Sequence, residues 1–441
     1  MPPTALLHAA NILHNFCFRE IEIEPPTMDY EPRCSTQCQP CAAVWVGSKS
    51  GNVFRIGLRA LGPGARPRHD LLGGGREARA IAHLHDGQPF GAPGVPYVVV
   101  GRSDGSIELI PDPTPVATRA VELPPRRTIH LPTWYDHRCG EPLGPGDEVP
   151  TPAGDRAYTR DVTALAVLPR AQGTGRNEAG PVTVDLVVAT RAPHLYVIEA
   201  TAGRSPSAST LRIVQRHWLP GWVSWIVACD HPIDAPTPGS PAAARRIACV
   251  SRGGFVTWLD RDALGQKTDV RARTKQTPVT PTAVLPFDDG LLLGTRTGLY
   301  LLPHGHREPI AVPVTREPVL GLGRATVGTG AGNDYVTLGL ERGSGRGRLQ
   351  VVDSERVRRV VPGAQRRRGN GRKFAIDLPA DVLEHQTVGA TQGDRAIAYV
   401  AVALRDHALR LFEVVDLEDQ RKAVQAAWTG HVQALSVAQT P

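Results

Sequence analysis

Short apolar runs separated by tight polar turns recur along the chain. The clearest instance lies between Pro281 and Pro303, PTAVLPFDDGLLLGTRTGLYLLP. Ala283 to Leu285, Leu291 to Thr295 and Leu299 to Leu302 are apolar runs; Asp288-Asp289-Gly290 and Arg296-Thr297-Gly298 are the turns between them. Turns this short cannot hold a parallel crossover, so the pattern predicts three antiparallel strands in a meander. Such a small sheet cannot bury both faces by itself and needs copies to stack against.

The copies are present. The same strand–turn–strand pattern predicts units at Cys41–Leu58, at Tyr97–Asp112 (preceded by a run from Ala80) and at Val162–Pro169 with Val184–Ala200. Three more follow at Trp225–Cys229 with Arg245–Asp260, at Val319–Ala325 with Asp334–Asp353, and at Val388–Gln392 with Ala396–Asp416. Their inner turns centre near Lys49, Asp104, Ala192, Gly253, Thr297, Ser344 and Asp406, mostly about 45 to 60 residues apart, near the spacing of propeller blades. Cys41–Leu58 has no evident innermost strand before it, whereas Gly430–Ala438 reads as an innermost strand with no partners after it. Joining the two completes a sheet and removes exposed edges. The expectation is an all-β, seven-bladed β-propeller, a single domain over residues 1–441, with N- and C-terminal strands sharing one blade. Long loop insertions fall near residues 111–160, 230–245 and 361–373, and residues 1–40 have no clear place in the pattern.

The segment DGLLLGTRTGLYLL resembles a blade of the bacterial sensor propellers. Gly430-His431 followed by Val432–Val437 resembles the start of a WD repeat, and Trp258-Leu259-Asp260 and Val415-Asp416 echo its strand ends. The Trp-Asp dipeptide itself is absent. The resemblance is architectural and implies a platform for binding other proteins.

Composition agrees with many short strands: Gly (45) and Pro (40) are abundant, and aromatic residues make up 5%. Arg exceeds Lys, and Ala, Gly and Pro are frequent, the coding bias of a GC-rich bacterial genome. No stretch approaches the roughly 20 apolar residues of a membrane span. The N-terminus lacks a basic n-region and its apolar residues are broken by His8, Asn11, His14 and Asn15, so secretion is not expected. Seven cysteines, an odd number, fit a reducing cytoplasm better than a disulfide framework. The net charge of +7 sits in one region: Arg342, Arg346, Arg348, Arg356, Arg358, Arg359, Arg366, Arg367, Arg368, Arg372 and Lys373 are opposed locally by Asp353 and Glu355 alone.

Few motifs carry chemistry. Cys34, Cys38 and Cys41 have metal-ligand spacing, and His137 or Cys139 in the long insertion would complete a structural zinc site. The demand for four ligands favours free thiols instead. His83, His85 and Asp86 also have metal-like spacing, without a further ligand. Arg366, Arg367, Arg368, Arg372 and Lys373 read as an exposed loop able to meet phosphates or an acidic protein surface, or simply solvent. Trp134 and Tyr135, in a polar insertion that cannot easily bury them, are candidate partner anchors. Trp218, Trp222 and Trp225 read first as packing between blades, and otherwise, for a Trp at a loop mouth, as a partner anchor. No nucleophile elbow, phosphate loop or H-E-x-x-H is present.

The reading is therefore a non-catalytic protein–protein interaction scaffold, one subunit of a larger bacterial signalling or defence complex, with no cofactor. Nucleic-acid association through the Arg-rich loop is the alternative. The second alternative is a lactonase- or lyase-like enzyme using the central channel; it needs acidic or His residues converging at the inner strand ends.

Overall fold

In the computed structural model, the residues described are 18–23, 31–38, 42–58, 67, 69–85, 90, 94–112, 126–131, 161–169, 183–191, 194–201, 210–219, 222–229, 246–260, 273–288, 290–303, 306, 308–329, 333–360, 373–392 and 395–414. They form an all-β propeller. Strand β1 is Phe18–Ile21. The first sheet holds β2 (Pro32–Cys38), β3 (Ala43–Ser48), β4 (Val53–Gly57) and β5 (His69–Gly73). The second holds β6 (Ala78–Leu84), β7 (Tyr97–Arg102), β8 (Ser106–Pro111) and β9 (Arg127–His130). The third holds β10 (Val162–Pro169), β11 (Thr183–Thr190), β12 (His194–Thr201) and β13 (Thr210–Trp218). In the fourth are β14 (Val223–Cys229), β15 (Arg246–Ser251), β16 (Phe255–Asp260) and β17 (Arg273–Gln276). The fifth is β18 (Pro281–Phe287), β19 (Gly290–Thr295), β20 (Gly298–Pro303) and β21 (Ile310–Val312), the meander that the apolar runs predict.

The remaining strands make one eight-stranded sheet from two meanders. One meander is β22 (Val319–Thr329), β23 (Asn333–Glu341), β24 (Gly347–Asp353) and β25 (Lys373–Leu378), with a short helix α1 (Ser354–Arg358) after β24. The other is β26 (Val382–Gln392), β27 (Arg395–Leu404) and β28 (Leu409–Val414), with β1 on its outer edge. Among the described residues, two backbone-paired positions join the meanders, Gly328 with Ala396 and Thr329 with Arg395.

Two local features repeat from sheet to sheet. In the turn between second and third strands, Gly51, Gly105 and Gly254 each donate to the carbonyl three residues back (Ser48, Arg102 and Ser251), with φ of 89°, 80° and 84°. That backbone conformation favours glycine. In addition, every innermost strand slips by one residue against its neighbour near its start, at Arg33, Arg79, Thr163, Ser224, Thr282, Leu320 and Leu383. A bulge at this point bends the strand and re-aims one side chain. Two of these side chains cross to the next sheet: Thr163 Oγ1 donates to the Val223 carbonyl and Thr282 Oγ1 to that of Val319, both at 2.5 Å.

Each innermost strand packs beside that of the next sheet, and β26 packs beside β2. The core lies between sheets, where alternate residues of neighbouring strands interdigitate, for example Leu84, Val99 and Leu109 against Leu165, Leu186 and Val188.

Several boundaries differ from expectation. The innermost strand of the first sheet is β2, drawn from the cysteine segment and not from the C-terminus; Gly430–Ala438 lies outside the described residues. Its sequence PRCSTQC has no apolar run, because its neighbours on either side supply the apolar surface. Head and tail of the chain do share a sheet, but through β1: Phe18 pairs with Val414 and Ile21 with Leu411, and Glu20 meets Arg410 at 2.6 Å. Two strands thus come from residues 1–40. Strand β9 lies inside the 111–160 insertion, and Lys373 is the first residue of β25, paired with Val352, not part of a free loop.

Candidate functional site

The innermost strands line a cavity of about 710 Å³ along the propeller axis. Its lining is layered. The bulge residues Arg33, Arg79, Thr163, Ser224, Thr282, Leu320 and Leu383 stand at the mouth. Two residues further on, Ile81, Leu165, Ile226, Val284 and Leu322 form an apolar belt, interrupted by Ser35 of β2 and His385 of β26. Cavities of this size and lining are of the kind that take a ligand or a partner's side chains.

The polar interruption has its own bonding. Ser35 Oγ donates to Glu384 Oε2 at 3.1 Å, and Gln386 Nε2 donates to the Ser35 carbonyl at 3.2 Å, stitching β26 to β2. Burial pushes the Glu384 carboxyl up to about 7, while the Ser35 hydroxyl and the charge of Arg252 pull the other way. His385 is 6% exposed, wedged against Gly321, where a Cβ would stand 2.4 Å from its own. Burial lowers its imidazole to about 4, opposed in part by the nearby Leu322 backbone. Neither ring nitrogen has a well-aligned hydrogen-bond partner among the described residues.

The mouth is ringed on one side by alternating charges. Lys49 meets Glu31 (3.3 Å), Glu31 meets Arg33 (2.6 Å), and Glu77 lies between Arg33 (3.6 Å) and Arg79 (3.0 Å). Asp161 follows, 3.9 Å from Arg79 and 3.6 Å from Arg191. The Arg191 guanidinium lies over the Trp222 ring, 5.6 Å from its centroid. Trp222 is 55% exposed, and Leu71, on a sheet edge, is the only other large apolar side chain of the described residues classed as exposed. Trp222 was expected to pack between blades. The structure sets it on the rim instead, because its strand begins one residue later, at Val223.

Of the residues singled out by sequence, Cys34 is buried at the channel wall and burial raises its thiol far above its usual range. Cys34 and Cys38 both lie on the extended β2 in unbroken register with β3. Four residues of strand separate them by about 13 Å, too far to share one ion. The side chains of Cys38, Cys41, His137 and Cys139 lie outside the described residues, as do Trp134, Tyr135, Arg366, Arg367, Arg368 and Arg372 and the side chain of Lys373. Among the described residues no group of three His, Cys, Asp or Glu converges as a metal site. His83 stacks on Trp45 with ring centroids 4.1 Å apart, a packing role between the first two sheets.

The basic region is less exposed as charge than its sequence implies. Arg342 and Arg348 share Asp377 and Glu317, and Arg358 is held by Asp288, Asp334 and Glu355. Four of these carboxylates come from outside the local segment, which sequence adjacency cannot reveal. Sequence reading also passed over Glu384 and His385, because β26 begins at Val382, ahead of the apolar run starting at Val388. No helix among the described residues is long and apolar enough to cross a membrane.

No family model matches the chain, and no curated protein matches it in sequence. Solved structures do. BBS1N, crystallised in complex with ARL6DN, superposes with a TM-score of 0.54 at 12% identity, covering 90% of this chain and 98% of that one. The β-propeller domain of Cps50 (Swd1) from Myceliophteria thermophila gives 0.50 at 10% identity, covering 90% and 100%. The WD40 domain of SCAP from fission yeast gives 0.47 at 11% identity, covering 90% and 89%. At these identities the likeness is one of fold, a β-propeller.

Proposed function

We propose that the chain is a non-catalytic interaction module, a seven-bladed β-propeller closed where β1 completes the last sheet, and that it docks a protein partner at the mouth of its channel. The seven recurring bulges support the blade count, with the eight-stranded sheet taken as two blades. Trp222 carries the functional reading: a large apolar ring left exposed at a channel mouth, backed by Arg191. Binding energy at protein interfaces concentrates in Trp, Tyr and Arg placed in this way. A propeller of the same architecture has been solved with a protein bound, as BBS1N with ARL6DN. The reading extends to a subunit of a bacterial cytoplasmic signalling or defence complex, on composition alone.

The test is capture from extract of the source cell with immobilised wild type and Trp222→Ala. A partner held by the first and lost by the second supports the reading; identical sets of captured proteins reject it. Nucleic-acid association through Arg366, Arg367, Arg368, Arg372 and Lys373 rests on sequence; it requires binding that falls steeply with salt and disappears when Arg366–Arg368 become Ala. The enzyme reading has one observation in its favour, the Glu384 carboxyl near 7 in the channel, where general acid–base groups work best. Its bonded neighbour is the Ser35 hydroxyl. Loss of a turnover on Glu384→Gln is what that reading requires.

A further inference from the structure

The charges at the channel mouth are layered as well as alternating. Asp161 and Glu77 are 12% and 19% exposed, whereas the cations that they hold, Arg79 and Arg191, are 35% and 48% exposed. The carboxylates are thus the more buried partners and hold guanidinium groups that keep more of their surface in solvent. Arg252 adds a cation with no such support. It is exposed on the turn between β15 and β16, and no carboxylate stands within ion-pair distance of it among the described residues. The charge that it influences is Glu384, deeper in the channel.

The distribution is also uneven. Cations and carboxylates alternate from the first sheet to Trp222 at the head of the fourth, the bulge residues Thr282, Leu320 and Leu383 are uncharged, and Arg405 pairs with Asp381 at the corresponding turn of the last meander. Both carboxylates in the lining are already engaged, Asp161 by arginines and Glu384 by Ser35. A cationic ligand would find no free counter-charge there. An anionic one would meet pre-oriented guanidinium forks, the geometry suited to carboxylates.

Building on the docking reading above, we propose that the mouth recognises an acidic peptide segment of the partner. Its Asp or Glu carboxylates engage Arg252 and Arg191, and a neighbouring apolar side chain packs on Trp222 above the apolar belt. A nucleic-acid strand fits less well. Single-strand binders offer a row of aromatic platforms along a basic groove, and this mouth offers one exposed Trp above the apolar belt.

The test uses the full chain and a fluorescein-labelled peptide of aspartates and glutamates around one central phenylalanine. Its analogues carry Asn and Gln, or Lys, in place of the acids, and anisotropy is read at low and physiological salt. The acidic peptide is expected to bind at least about tenfold more tightly than the neutral one and to weaken about tenfold or more in Arg252→Glu and in Trp222→Ala. Circular dichroism checks that each variant is folded. If the neutral peptide binds as well as the acidic one, and Trp222→Ala abolishes both, the mouth remains a docking face but the acidic specificity is wrong. Binding untouched by Arg252→Glu, absence of binding, or tighter binding of an oligothymidylate than of the peptide each overturns the proposal.

Discussion

Removing the Arg102 side chain tests the inter-sheet bonding most directly. Arg102 ends β7 and is 2% exposed. Its Nη1 donates to the carbonyls of Gly51 and Arg76, both at 2.6 Å, so one guanidinium ties the second sheet to a turn and a linker of the first. Its Nε donates to Glu108 at 3.0 Å, and Nη2 makes a second, very short contact with the same carboxylate. Hydrogen bonds from a charged donor contribute about 1.5–3 kcal/mol each. Arg102→Met removes them and leaves Glu108, nearly buried, to the weaker pairing with Arg126 at 3.9 Å, a loss of about 3 kcal/mol. Urea titration should show a fall in midpoint with unchanged slope. The double variant Arg102→Met, Glu108→Leu should recover a large part, since neither buried charge is then left alone. A loss under about 1 kcal/mol in the single variant, or no recovery in the double, would refute the account.

The remaining predictions concern the seam between β26 and the sheets beside it. The raised Glu384 makes the native state hold a proton that the unfolded chain has released, so its contribution makes stability fall as pH rises from about 4.5 to about 7. The lowered His385 does the opposite: unfolded imidazole binds a proton that the native state refuses, so its contribution is fully present above about 6.5 and is lost as pH falls toward about 4. The two oppose each other in the wild type. Denaturant titrations across this range should therefore show Glu384→Gln gaining stability with pH relative to wild type and His385→Gln losing it, with parallel curves disproving the assignment. At Gly323 a Cβ would stand 2.0 Å from Thr387 Oγ1 and 2.7 Å from Thr337 Oγ1, two hydroxyls themselves bonded at 2.8 Å. Gly323→Ala should cost about 1–3 kcal/mol by wedging β22 from β26, read as a lower thermal midpoint.

What the sequence decided by itself is the propeller class. Period-two apolar alternation and turns too short for crossovers leave a local meander no alternative, and Pro281–Pro303 folds as that pattern predicts. The same reading located the turns around Lys49, Asp104, Gly253 and Ser344, because their glycines and polar residues act within a few positions. The strands that escaped it are those whose apolar surface is supplied by others. PRCSTQC becomes β2 only because β26 and β6 flank it, and FREI becomes β1 only because β28 offers an open edge.

Function depends still more on tertiary placement. Nothing near Trp222 in the chain marks it as exposed; Arg191, about 30 residues away in sequence and itself held by Asp161, meets it only after the sheets stack. The arginines of the basic region are likewise neutralised by Asp288, Glu317, Asp334 and Asp377, brought from separate strands and connections. Backbone pairing is local and periodic, so it is written in order along the chain. The channel mouth is assembled from single residues contributed by several sheets, and only the stacking of those sheets decides which side chains face one another.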